Sequence, residues 1–156
     1  MFNSSKSDMA IEEKAVALLK KKKLLITTAE SCTGGLVGAS IVNVGGASAV
    51  FHEGYITYSN EAKIKLLNVS PLTLERFTAV SKETACEMAI GGAKNASADV
   101  CVAVTGVAGP SMEDGKPVGL VYISCFYKGN VKVYEYNFFG DRQQIRQKAV
   151  DEALKL

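Results

Sequence analysis

The run Asp99-Val100-Cys101-Val102-Ala103-Val104-Thr105 decides the fold. It is apolar without alternation, the pattern of a strand covered on both faces, and so it reads as a central strand. The turn Gly106-Val107-Ala108-Gly109-Pro110 then stops it. Upstream, Ser81-Lys82-Glu83-Thr84 opens a helix that runs to about Ala96, with Gly91-Gly92 weakening its middle. Downstream, residues 118–127 and 131–139, joined by Lys128-Gly129-Asn130, read as an antiparallel hairpin. Asp141 starts a last helix carrying Ile145, Ala149 and Leu154.

Toward the N-terminus, Ile11, Ala15, Leu18 and Leu19 recur at i, i+4, i+7 and i+8, so residues 8–23 form an amphipathic helix capped by Ser7 or Asp8. Residues 24–28 follow as a strand, 36–44 as a second helix ending at Gly45-Gly46, and 50–58 as a strand of aromatic and branched residues. Asn60 caps a short helix, and residues 71–77 add a further helical turn or two. The order α-β-α-β-α-β-β-β-α describes one α/β domain over residues 8–156, a mixed β-sheet covered by helices, after a flexible tail at 1–7.

With 156 residues the chain is long enough to bury a core without disulfides or metal. Its net charge of +2, with only Lys20 to Lys23 clustered, argues against a nucleic-acid or membrane surface. Cys32, Cys86, Cys101 and Cys125 are scattered, with no CxxC and a single histidine, so no metal site and no redox motif is expected. The first residues lack the apolar core of a signal peptide and no apolar run reaches membrane-spanning length, so a reduced, cytoplasmic protein is the expectation.

Chemistry is concentrated in three places. Thr28-Ala29-Glu30-Ser31-Cys32-Thr33-Gly34-Gly35 sets a serine at a helix start, where free N–H groups and the helix dipole favour an anion; Ser31 is a nucleophile, or Ser31 or Thr33 simply caps the following helix. A second group is Tyr58 with Lys63. If a helix starts at Asn60, Lys63 shares a face with Leu66 and Leu67 and leans inward, which lowers its pKa toward that of a general base, unless its stem merely covers apolar surface. His52 is the conventional partner for Ser31 or Cys32, but on a strand it lies roughly 20 Å from Tyr58, so one centre cannot use both. Third, the turn from Thr105 to Ser111 has the form of a crevice-lining loop without P-loop or GxGxxG chemistry. Arg142 and Arg146, at i and i+4, either clamp a phosphate or face water.

Six segments in order, TAESCTGG (28–35), GYITYSNEAK (54–63), AVS (79–81), VTGVAGP (104–110), KPVGLV (116–121) and GDRQQIR (140–146), resemble the CinA C-terminal domain family across nearly the whole chain. Stand-alone members resemble nicotinamide mononucleotide deamidases, which form nicotinate mononucleotide and ammonia in pyridine nucleotide recycling. The resemblance implies catalysis by Ser31 as acyl-forming nucleophile, Lys63 as base and Tyr58 as proton relay or positioning group, with no cofactor. It implies substrate contacts at Glu30, Cys32, Thr33, Gly34, Gly35, Thr105, Gly106 and Gly109, a phosphate contact at Arg142, a small nucleotide substrate and a homo-oligomeric state. One departure stands out: the family continues its TG-AGP block with glycines, whereas Ser111-Met112-Glu113-Asp114-Gly115 is acidic and less permissive. Glu113 and Asp114 would repel a phosphate unless they face solvent. That loop admits an alternative, an inactive member that binds a nucleotide or a protein; a Cys32/His52 thiol enzyme is the third.

Overall fold

A computed structural model of the chain describes residues 9–156. The expected tail at 1–7 and the expected cap at Ser7 or Asp8 lie outside the described residues. The strands are β1 (Ile26–Glu30), β2 (Tyr55–Ile56), β3 (Val100–Gly106), β4 (Leu120–Tyr127) and β5 (Asn130–Asn137). They form one mixed sheet in the order β2-β1-β3-β4-β5, with β1 parallel to β2 and β3, and β4 antiparallel to β3 and β5. Helices α1 (Ile11–Lys22), α2 (Leu36–Val42) and α6 (Arg142–Ala153) pack on one face. On the other lie α3 (Asn60–Leu67), α4 (Pro71–Phe77) and α5 (Lys82–Ala96).

The strand at the centre is buried on both faces, as its unbroken apolar run requires. Cys101 and Ala103 meet Met88, Ala89 and Ala93 of α5, while Val102 and Val104 meet Ile145, Ala149 and Val150 of α6. Full burial of each branched side chain contributes about 1.5–3 kcal/mol. Gly91-Gly92 does not interrupt α5. The pair sets how closely the helix packs: a Cβ at 91 would lie 1.7 Å from the Leu67 carbonyl oxygen, and one at 92 would lie 2.7 Å from Cys101 Sγ.

Two expectations about strands are corrected. β1 starts and ends two residues later than expected, so Ala29 and Glu30 belong to the strand and not to the turn. The strand expected over 50–58 shrinks to Tyr55–Ile56. Phe51 makes only an isolated bridge to Ile26, and the Thr27 hydroxyl takes the Glu53 carbonyl at 2.8 Å where a ladder N–H would. At Gly54 the chain crowds β1: a Cβ there would sit 2.7 Å from Thr28 Oγ1.

From β1 the chain crosses through α2 to β2 on one side, then returns through α3, α4 and α5 to β3 on the other. The carboxyl ends of β1 and β3 therefore sit side by side, and the connections leave them in opposite directions along the sheet, from β1 toward β2 and from β3 toward β4. Such a switch point leaves a crevice at the strand ends.

Candidate active site

Alternation along β1 separates two neighbouring polar residues. Glu30 turns toward α2, where its buried carboxylate accepts from the N–H groups of Val37 at 2.8 Å and Gly38 at 3.0 Å. Those are the donors that a helix start offers an anion, and Glu30 already occupies them. It is therefore turned away from the substrate position expected for it. Ser31 turns the other way, toward α3, and its N–H donates to the Val104 carbonyl at 2.9 Å, extending the β1–β3 ladder by one residue.

The residue that meets it is Lys63. Ser59, not Asn60, is the N-cap of α3, its hydroxyl accepting from the Ala62 N–H at 3.1 Å. This phasing puts Lys63 in the first turn on the same inner face as Leu67, and both are 1 % exposed. Lys63 Nζ lies 3.0 Å from Ser31 Oγ and 2.8 Å from the Thr57 carbonyl oxygen. Burial pushes the Lys63 pKa down from its ordinary 10.5, while Glu113, Cys32 and Glu61 pull it back up. Once neutral, the amine has a lone pair for the Ser31 proton.

The pair opens into a crevice of about 390 Å³ that is also walled by Tyr58, Thr105, Gly109 and Arg142. Thr105 donates to the Ala79 carbonyl at 2.7 Å, joining the end of β3 to the start of the α5 segment. Arg142 donates to the Gly109 carbonyl and, at 3.0 Å, to the Tyr58 hydroxyl. Tyr58 is 65 % exposed, so its ring stands at the mouth, and the Ser31–Lys63 contact is direct without it.

The remaining residues of the first block divide between wall and scaffold. Cys32 lines the crevice, as does Gly106 of the later glycine block, whereas Thr33, Gly34 and Gly35 do not. Thr33 is fully buried, and Gly34 and Gly35, with φ of 58° and 100°, turn the chain from strand to helix. Arg146 faces neither phosphate nor water alone: it donates to the Cys32 carbonyl at 3.0 Å and the Thr33 carbonyl at 3.1 Å. Its i, i+4 spacing from Arg142 was the one signal for it in the sequence.

The acidic departure forms a tight hairpin. Glu113 and Lys116 bridge across Asp114 and Gly115, whose φ values of 48° and 72° suit a type I′ turn. Glu113 and Asp114 are exposed and line the mouth of the crevice. The thiol alternative loses its geometry: burial pushes the Cys32 pKa up to about 12, and His52 is exposed and outside the crevice. Among the described residues no group of three or more His, Cys, Asp or Glu is placed to hold a metal, and no helix is long and apolar enough to cross a membrane.

The fold and the buried pair define a class, a mixed α/β domain with a serine–lysine contact in a switch-point crevice. The CinA C-terminal domain model matches residues 8–156, and the chain belongs to that family. A CinA-like protein of Kosmotoga olearia is 53% identical over 146 residues, covering 93% of this chain and 35% of that protein. The chain thus spans about a third of the length of the curated relatives it matches. Solved CinA-superfamily proteins share the fold: one from Klebsiella pneumoniae at TM-score 0.91 and 34% identity, covering 93% of this chain and 91% of the other. One from Escherichia coli gives 0.89 and 38%, with 97% and 91% covered.

Proposed function

We propose that this chain is an amidohydrolase converting nicotinamide mononucleotide to nicotinate mononucleotide and ammonia through a Ser31 acyl-enzyme. The observation that carries the reading is the 3.0 Å contact between Ser31 Oγ and the buried amine of Lys63 inside a crevice. Neutral Lys63 takes the Ser31 proton as Oγ attacks the amide carbon, and the N–H of Cys32, next after the nucleophile, is the backbone donor for the oxyanion. Collapse breaks the C–N bond, with Lys63 returning the proton to the departing ammonia. Water then attacks the ester carbon and gives a proton to Lys63; as the C–O bond breaks, Lys63 returns that proton to Ser31 Oγ, and the nicotinate product leaves as its carboxylate, losing its remaining proton to solvent.

Thr105, Gly106 and Gly109 border the nucleotide in this scheme, and Arg142, held at the mouth by Tyr58 and Gly109, meets the phosphate. Recycling of pyridine nucleotides in the cytoplasm, by a homo-oligomer, completes the proposal. Glu113 and Asp114 at the mouth support a second reading, a family member that binds a nucleotide without turnover, because their charge opposes a phosphate. Ammonia release separates the two. Turnover that persists with chelator and disappears in Ser31→Ala and Lys63→Ala supports the hydrolase; calorimetric binding with no ammonia released supports the binder. Normal turnover in either variant removes the serine–lysine scheme.

A further inference from the structure

The turn that carries Ser31 is held from below by a residue that does not line the crevice. Arg146, on α6, reaches the consecutive carbonyls of Cys32 and Thr33 at 3.0 and 3.1 Å. These carbonyls lie in the turn between β1 and α2; the Thr33 carbonyl also accepts from the Leu36 N–H at 3.1 Å, and among the described residues no backbone N–H donates to the Cys32 carbonyl. The same turn closes on itself through the Gly34 N–H, which donates to the Ser31 carbonyl at 3.0 Å.

These bonds form a chain with one direction. The guanidinium binds the oxygen of the Thr33–Gly34 peptide, whose N–H is that of Gly34. Gly34 donates to the oxygen of the Ser31–Cys32 peptide, whose N–H is that of Cys32. Linked peptide dipoles polarise one another in the same sense, so a cation at one end makes the N–H at the other end a stronger donor. That last N–H follows the nucleophile directly. Among the described residues it donates to no backbone carbonyl.

We propose that Arg146 is a positioning residue for the acylation of Ser31, locking its turn and polarising the Cys32 N–H toward the oxyanion through the peptides at 33–34 and 31–32. The role rests on the reading of Ser31 as a nucleophile. Arg146 touches no reacting atom and acts through the turn alone. Lysine is a poor substitute, because a single ammonium does not fit both carbonyls with the guanidinium's fixed fork.

The test reads Ser31 directly and needs no natural substrate. An alkyl fluorophosphonate, which adds to the serine oxygen with loss of fluoride, is followed by intact mass and peptide mapping. In the wild type the label is expected on Ser31. In Arg146→Ala the labelling rate is expected to fall about tenfold, a part of the 10²–10³ that loss of an oxyanion donor costs. Millimolar guanidinium ion is expected to restore part of that rate, and the pH midpoint set by Lys63 is expected to stay in place. A merely structural role would show neither rescue nor an unmoved midpoint. Equal labelling of wild type and Arg146→Ala overturns the role of Arg146 while leaving Ser31 as nucleophile; absence of label on wild-type Ser31 overturns both. If Arg146→Ala does not fold by circular dichroism, folded Arg146→Lys decides: a severalfold slower rate supports the proposal and a wild-type rate overturns it.

Discussion

Replacing Lys63 by methionine removes the amine while keeping a flexible stem in its buried slot. In the proposed role of general base the amine supplies about 10²–10⁴ in rate, so kcat is expected to fall by that factor. Stability carries a second, independent signature. Lys63 is 1 % exposed and burial holds its folded pKa below the 10.5 of the free side chain. Below the folded pKa both states hold the proton, and the folded state bears the full cost of burying it. Between the folded pKa and 10.5 the unfolded chain binds more protons, so stability rises with pH by up to about 1.4 kcal/mol per unit. Methionine has no proton to lose, so Lys63→Met lacks this rise. Against the relief at low pH stands the Thr57 carbonyl, which loses its 2.8 Å donor at a cost of about 1–3 kcal/mol. Urea unfolding of both proteins from pH 7 to 10.5 gives the difference curve, in which every other titrating group cancels. Parallel stability curves, or a Lys63→Met enzyme with wild-type kcat, would refute the reasoning.

Three further outcomes follow from particular contacts. Glu113 is the first of the charges that raise the Lys63 pKa, so Glu113→Gln is expected to move the rising limb of the kcat/KM–pH profile to lower pH and to improve binding of phosphorylated over unphosphorylated ligands. A limb that stays put or moves up contradicts it. Glu30→Gln replaces a charged acceptor at the start of α2 and is expected to lower unfolding stability by about 1–3 kcal/mol in urea, with ligand affinity within twofold because Glu30 faces α2. Gly91→Ala is expected to cost upward of about 3 kcal/mol, since its Cβ would strike the Leu67 carbonyl at 1.7 Å and displace α3 with Lys63. Gly45→Ala, with nothing within 4 Å, serves as the comparison and is expected to change stability by less than about 0.5 kcal/mol.

Local signals were legible wherever the chain's own periodicity or caps decided the outcome. The apolar run at 99–105 became β3, Asp141 became the N-cap of α6 with a Gln144 capping box, and Lys63 fell on the inner face of α3 beside Leu67. The segment 50–58 misled because branched and aromatic residues suit a strand, yet Gly54 crowds Thr28 and leaves only two residues paired. Glu30 misled for a different reason. The family resemblance placed it among the substrate contacts, but the side-chain alternation of β1 sends it to α2, and of these two neighbours Ser31 is the one that reaches the crevice. Arg146 was invisible as a support because its partners lie 113 and 114 residues away in the chain.

By itself the sequence determined the α/β class, the central strand and the ordered blocks of the CinA C-terminal domain family, since these follow from local patterns and their order along the chain. The spacing of Lys63 put it on one face with Leu66 and Leu67 without deciding between a buried amine and a stem over apolar surface. The tertiary structure decided which polar groups meet. Ser31 and Lys63 come within 3.0 Å because β1 and β3 run parallel at a switch point and α3 returns over the same face. Glu30 is withdrawn from the crevice and Arg146 brought beneath the Ser31 turn by the same packing, which joins residues that no local period connects.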